Sequence, residues 1–414
     1  MKIQQLLLKT LTAALLCVYY NAHATETYTL EQMVDLARVN SPILKTAAAQ
    51  KQLAEAGVQT AKGFLNPEVE LLTGKTKPRV VDGTSGQVTS LSITQPIEWS
   101  SIRRARIQGA EYNVKSTVAN YALNQLDLES QIKQSFFEVL KRQNELKLAE
   151  EDAGILQQIR DKVALRVKVG EAARYELVKS DAELSSALNV ARSAKLRVNE
   201  SKAMLRALTG LQITIDFNID GHLSPHLTLP DIHLLRENAL ARHPQVQQTA
   251  FDVQKAQSQI ELQRALKNPT FAVKGSMDRS PDAKQYQLGV VFSVPIWNQN
   301  QGPLAEAQAE KQRVMYSGDI TRIGLLRDLD SAFTRYKIAE RQVESFETGL
   351  LKEAEYALKV AETAYRYGER GILDYLDAQR TYRNIRAEYN TALFERQFAL
   401  IELERLRALP LKES

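Results

Sequence analysis

The 414-residue sequence has one cysteine, 12 prolines and only 7% aromatic residues. Beyond its first two dozen residues it also lacks any apolar run of the roughly 18 or more residues that a membrane-spanning helix needs. Each scarcity excludes something. The single cysteine, Cys17, lies in an N-terminal stretch that opens Met1-Lys2, runs apolar from Leu6 to Val18 and reaches the small-x-small site Ala22-His23-Ala24. That is the layout of a cleavable secretory signal, with cleavage expected near Thr25. Leu16 stands where a lipoprotein signal needs a small residue, so a lipid anchor on Cys17 is not expected. The mature chain then has no cysteine for disulfides or thiolate metal ligands. A chain of this kind that crosses a membrane must do so as strands.

Charge of one sign is missing as well. Basic residues number 54 against 49 acidic, and loss of Lys2 and Lys9 with the signal leaves 52 against 49. The excess is spread over long helical stretches, which argues against a nucleic-acid groove and its clustered basic face. Catalytic signatures are absent: there is no nucleophile elbow and no metalloprotease helix motif. Gly74-Lys75-Thr76 mimics the end of a phosphate-binding loop, but Val69 stands where the first glycine is required and the context is a strand. No acid–base or nucleophile constellation stands out, so neither an enzyme nor a cofactor is expected.

What the sequence does contain is a repeat, the feature to seek first because it decides the fold. Ala37-Arg38-Val39-Asn40-Ser41-Pro42 is echoed by Ala239-Leu240-Ala241-Arg242-His243-Pro244, and Asn66-Pro67 by Asn268-Pro269. Gln95-Pro96-Ile97 matches Val294-Pro295-Ile296, and Gly170 matches Gly368. Each half reads helix, strand, strand, very long helix, turn, helix. The expected division is a signal over 1–24, a first repeat over 25–210, a connector over 211–230, a second repeat over 231–409 and a tail over 410–414.

Period-two alternation marks the strands. Tyr286, Leu288, Val290, Phe292, Val294 and Ile296 alternate with Gln285, Gln287, Gly289 and Ser293, and Leu91, Ile93 and Ile97 with Ser90, Ser92 and Thr94. Val69 and Leu71 alternate with Glu68 and Glu70, and Phe271 and Val273 with Thr270 and Lys274. About ten residues each is the length of a tilted strand crossing a bilayer. A soluble two-sided sheet is the bland alternative. The helices instead carry steps of three and four, as where Val139, Leu146 and Ala153 interleave with Ala149, Leu156 and Val163, or in Tyr382, Ile385, Tyr389 and Ala392, the seam of a coiled coil. Arg142, Arg160 and Arg396 interrupt the seams. From about Arg103 to Val169 one helix of roughly 65 residues, near 100 Å, is expected. The runs Leu30–Phe64 and Glu171–Thr209 are each about half that length. The fold class is therefore α+β, mainly α: long coiled-coil hairpins plus four strands per chain. Four strands cannot close in lipid, where strand edges are not tolerated, so closure demands an oligomer, and three chains would supply twelve strands.

The repeat, Gln95-Pro96-Ile97 followed by Arg103-Arg104-Ala105-Arg106, and Pro295-Ile296-Trp297-Asn298-Gln299-Asn300-Gln301-Gly302 together resemble TolC-type outer-membrane efflux proteins. Gly368-Glu369-Arg370-Gly371-Ile372-Leu373-Asp374-Tyr375-Leu376-Asp377-Ala378-Gln379 looks like the periplasmic-tip turn of that family. The Asn-Gln-Asn-Gln-Gly segment and the Arg-rich helix start most resemble its cobalt-zinc-cadmium resistance branch. The resemblance covers nearly the whole mature chain. It implies a homotrimer in outer-membrane lipid, a twelve-stranded barrel continued by a periplasmic α-barrel, a membrane-fusion adaptor and an inner-membrane resistance-nodulation-division transporter. It also implies a gate at the periplasmic tip, whose matching positions are Tyr365, Arg370, Asp374 and Asp377, with Glu176 the corresponding acid of the first half.

Asp374 and Asp377 lie one helical turn apart and can face one direction. Three copies of each would make carboxylate rings that concentrate cations. Arg370 paired with Glu176 or a neighbouring carboxylate would form a latch. The plain reading is that Asp374 starts a helix and Arg370 is solvated. His222, His226 and His233 cluster in the connector, but their spacing fits no familiar zinc motif. The rival functions are drug efflux or type I secretion through the same kind of duct, or a periplasmic coiled-coil adaptor.

Overall fold

The computed structural model describes residues 26–77, 79 and 82–411. The expected signal and Cys17 lie outside these residues. In chain order the elements are β1 Thr27–Thr29, α1 Leu30–Asn40, α2 Pro42–Lys62, β2 Glu68–Thr76, β3 Gly86–Ile97, α3 Ser100–Lys168, α4 Arg174–Leu208 and β4 Asn218–Asp220. Then follow α5 Ile232–Arg242, α6 Pro244–Ala265, β5 Thr270–Arg279, β6 Lys284–Ser293, α7 Gln301–Ser345, a π turn Phe346–Leu350, α8 Leu351–Arg366 and α9 Ile372–Arg407. The order helix, strand, strand, long helix, helix occurs twice. The long helix α3 has 69 residues. No helix among the described residues is long and apolar enough to cross a membrane.

Local chemistry explains the element boundaries. Thr29 and Gln32 form a capping box at the start of α1: the Gln32 amide donates to Oγ1 at 3.3 Å, and the Thr29 amide donates to Gln32 Oε1 at 2.9 Å. The expected single run Leu30–Phe64 is broken at Ser41, which is extended (φ −60, ψ 126) ahead of Pro42. A proline pushes the preceding residue out of the α region and is itself well placed to begin a helix. His243-Pro244 repeats the break in the second half. The run expected from Glu171 starts as a helix only at Arg174.

One compact unit comprises the described parts of Met1–Leu44, Gln125–Ile232 and Leu329–Ser414, and the other Lys45–Asn124 and His233–Asp328. In the first, Met33, Ile132, Phe136, Leu205, Phe217 and Phe394 are almost wholly buried in one cluster. The connector is held there: β4 pairs in parallel with β1, Tyr336 donates its hydroxyl to the Leu227 carbonyl at 3.0 Å, and Gln397 Oε1 accepts from the Ser224 amide at 2.9 Å. A Cβ on Gly221 would lie 2.5 Å from Phe136, so only glycine lets the backbone pass that ring.

The second unit holds an antiparallel sheet of order β2-β3-β5-β6. Register places Val69 opposite Ile93, Leu71 opposite Leu91, Ile97 opposite Phe271, Val273 opposite Val290 and Met277 opposite Tyr286. Opposed residues share a face, so these side chains with Leu288 and Phe292 make one continuous apolar surface. It is exposed: Leu288 is 84% and Leu71 67% accessible. The other face is mostly polar, with Glu70 3.6 Å from Lys274 and accepting from Ser92 at 3.3 Å. At the end where the helices attach, Trp99 meets Phe271 edge to face and Phe271 meets Phe292 at a tilt, and Tyr286 stands near the turns. The alternation expected to reach Ile296 stops at Ser293, because Pro295 cannot donate to a ladder and the Ile296 amide turns back to Val294 at 3.0 Å.

The basic run and the Asn-Gln-Asn-Gln-Gly segment are structural in this unit. Arg103 and Arg106 donate to the carbonyls of Lys62 (2.7 Å), Ala61 (3.0 Å) and Gly63 (3.2 Å), satisfying the C-terminus of α2, and Arg106 pairs with Glu98 at 2.5 Å. Asn300, left-handed at φ 61, donates to the Gln263 carbonyl at 2.8 Å ahead of α7.

Candidate functional site

The two hairpin turns of the first unit are built identically. Gly170 (φ 82) donates its amide to the Val167 carbonyl at 3.2 Å while Glu171 donates to Arg166 at 2.8 Å. Gly368 (φ 76) donates to Tyr365 at 3.1 Å and Glu369 to Ala364 at 2.9 Å. This double bond pattern ends a helix through a left-handed residue that glycine adopts without penalty. The following helices have Ala173 and Gly371 as N-caps, neither with a side-chain bond, and carry Glu176 and Asp374 in the first turn. A carboxylate there is stabilised by the unpaired amides and the helix dipole.

Around the turns, the ends of α3, α4, α8 and α9 share a core containing Leu156, Ile159, Val163, Leu184, Ile372 and Leu376. Tyr365 belongs to it. It is only 6% exposed, its ring stacks on Tyr375 (5.9 Å, 22°), and the Arg166 guanidinium lies 5.0 Å from its centroid. Its hydroxyl is buried without a hydrogen-bond partner among the described residues, which carries a desolvation cost. Burial first, then the nearby Glu362 carboxylate and Tyr365, push the Tyr375 phenol up to about 12.

Of the carboxylates expected at the gate, Asp374 and Asp377 face solvent. Arg370, in the turn before α9, pairs with Asp374 of the first turn of that helix at 3.6 Å, and both are more than half exposed. Such a pair contributes little to stability. Glu176 is half-buried and Asp377 exposed, and neither has an ion-pair partner among the described residues. Of the two pairings expected for Arg370, the one formed within the chain is to a neighbouring carboxylate and not to Glu176.

The stronger ties lie one to four turns deeper. Arg380 of α9 binds Glu183 of α4, whose carboxylate also has Lys179 at 3.7 Å. Arg160 of α3 binds Asp181 of α4 at 2.7 Å, and Arg386 of α9 binds Glu151 of α3 at 2.7 Å with Asp152 at 3.9 Å. Asp152 is almost fully buried, and that desolvation raises its pKa against the opposing pull of Arg383 and Arg386. The interruption of the seam by Arg160 was the available signal for this layer. The other seam arginines serve elsewhere: Arg142 binds Glu138 and Glu145 of its own helix at 2.8 Å, and Arg396 donates to the Ser224 carbonyl at 3.4 Å.

Among the connector histidines, His226 lies 3.2 Å from Glu340. No group of three or more His, Cys, Asp or Glu side chains among the described residues is placed to hold a metal ion.

The sequence profile described as "Outer membrane efflux protein" matches residues 33–211 and 235–408. The chain is 27% identical over 382 residues to the cobalt-zinc-cadmium resistance protein CzcC of Cupriavidus metallidurans, covering 91% of this chain and 89% of that protein. It is 21% identical over 396 residues to the outer membrane protein TolC of Vibrio cholerae, covering 90% and 89%. A solved structure of CusC, described as forming a transmembrane channel, superposes with a TM-score of 0.80 at 17% identity and 92% coverage of each chain.

Proposed function

The chain belongs to the outer membrane efflux protein family, and we propose that it is the exit duct of a tripartite pump for divalent heavy-metal cations. It resides in the outer membrane and extends into the periplasm. In this reading the chain is a homotrimer. Edges β2 and β6 of neighbouring chains pair to close a twelve-stranded barrel, and the hairpins continue it as a helical tunnel toward a membrane-fusion adaptor and a proton-driven resistance-nodulation-division transporter. The single observation that carries the duct reading is the sheet itself. A continuous apolar face is exposed while, among the described residues, the ladder has two unpaired edges. Lipid welcomes the first and forbids the second unless copies join.

Cargo of the cobalt, zinc and cadmium type is supported by the full-length similarity to CzcC. Electrostatics at the tip fits such cargo. Asp374, Asp377 and Glu176 would each form a ring of three carboxylates, raising local cation concentration at a narrow mouth without a tight site that would retain the ion. Arg370 and Tyr365 are the latch: the arginine lies beside the ring, and the tyrosine packs into the core at the tip against Tyr375. Deleting the gene should lower tolerance to zinc, cobalt and cadmium, restored by the intact gene. A deletion that sensitises cells to dyes or detergents and leaves metal tolerance unchanged overturns the cargo assignment.

A further inference from the structure

The outward apolar rows of the sheet end in cations. Along β2, Val69, Leu71 and Thr73 lead to Lys75; along β5, Val273 and Met277 lead to Arg279; β6 starts at Lys284 before Tyr286 and Leu288. All three cations occupy positions of the same parity as the apolar residues, and all three are exposed. None has an ion-pair partner among the described residues. Arg279 and Lys284 stand directly opposite one another in the ladder, a like-charge pair that is unfavourable by itself.

The acids nearby do not answer them. Asp278 points to the polar face, where Ser276 donates to it at 3.4 Å, and Asp282, in the turn, lines the recess beside the cations without forming an ion pair to them among the described residues. Beside the pair lies a recess of about 660 Å³, whose lining includes Gln87, Thr89, Arg279, Pro281, Lys284 and one acid, Asp282. Gln87 opposes Lys75 and Thr89 opposes Arg279, so the recess opens on the apolar side of the sheet. This is the end carrying the strand turns, opposite the end where the helices attach. It is therefore the outer rim of a sheet whose helices extend into the periplasm.

We infer that this rim binds the phosphate groups of anionic lipid headgroups in the outer leaflet of the outer membrane. The inference rests on the sheet spanning the membrane as proposed above. Basic side chains placed where an apolar band meets the headgroups are attracted to anionic lipid, and a bridging phosphate relieves the repulsion between Arg279 and Lys284. In the proposed trimer, pairing of β2 with the β6 of a neighbouring chain brings Lys75 beside the neighbour's Lys284 and closes three such sites around the rim.

The test uses the full-length protein in neutral-detergent micelles. Binding of phosphorylated lipid A, dephosphorylated lipid A and inorganic phosphate is measured for the unmodified protein, for the triple variant Lys75→Gln, Arg279→Gln, Lys284→Gln, and for Lys274→Gln on the opposite face. The triple variant should bind phosphorylated lipid A roughly tenfold to a hundredfold more weakly, with less dependence on salt, while Lys274→Gln binds as the unmodified protein does. Equal binding by the triple variant, equal binding of the dephosphorylated lipid, or displacement by inorganic phosphate at matching concentration overturns the inference. Size-exclusion chromatography of the same samples reads the trimer separately: a monomeric unmodified protein overturns the duct, whereas the lipid comparison is read between proteins of equal oligomeric state.

Discussion

At the first hairpin, the segment from Arg166 to Lys179 carries Arg166, Lys168, Arg174 and Lys179 against Glu171 and Glu176; at the second, Arg366 and Arg370 face Glu369, Asp374 and Asp377. The backbone bonds of the two turns are the same in pattern, yet one is a basic surface and the other an acidic one. Their interiors differ too. Val167 and Leu177 pack at the edge of the shared core where Tyr365 and Tyr375 stack inside it. Glycine and two hydrogen bonds define the turn, and every other side chain is left free to specialise. The second hairpin therefore combines the acidic mouth with the unsatisfied tyrosine, and the first provides the frame, with Asp181 and Glu183 receiving arginines from α3 and α9.

The sharpest way to break this comparison is to unlatch one hairpin at a time. Tyr365→Ala combined with Arg370→Ala should raise the conductance of the isolated trimer in planar bilayers severalfold, whereas Val167→Ala in the first hairpin should leave it nearly unchanged. Equal effects in both would end the assignment of the latch to the second hairpin. A smaller and deliberately equal effect is expected from the backbone. Gly170→Ala and Gly368→Ala each force a side chain into the left-handed region, so each should cost about 1 kcal/mol in denaturant unfolding. A clear inequality there would show that the two turns are not one device used twice. The smallest effect separates the charges: Asp377→Asn should reduce cation preference, read as a shift in reversal potential. Lys179→Gln at the matching position should shift it the other way, and shifts of the same sign would refute the electrostatic contrast.

Much of this architecture was legible from local signals. Gly170 and Gly368 marked the turns, and alternation from Glu68 to Leu71 and from Gln285 to Phe292 marked strands with one apolar face. These features act over a few residues, where sterics and side-chain period suffice. The ion pairs that tie the tip were not legible. Arg380 and Glu183 are 197 residues apart, and Arg386 and Glu151 are 235 apart. Which of many charges on a long helix faces its neighbour depends on the rotation and axial register of packed helices. Periodicity constrains the apolar stripe, not the partner of a charged side chain beside it. Likewise, Arg103 and Arg106 were visible as a basic run, but only folding placed them at the exposed carbonyls ending α2.

The sequence by itself determined the duplication, the strand faces and the glycine turns, because each follows from residue type and short-range geometry. Tertiary structure alone decided that Tyr365 is buried and Asp377 exposed, and that Lys75, Arg279 and Lys284 gather on one rim. Those outcomes depend on which surfaces are removed from water when distant segments pack, a free-energy balance that no local pattern encodes.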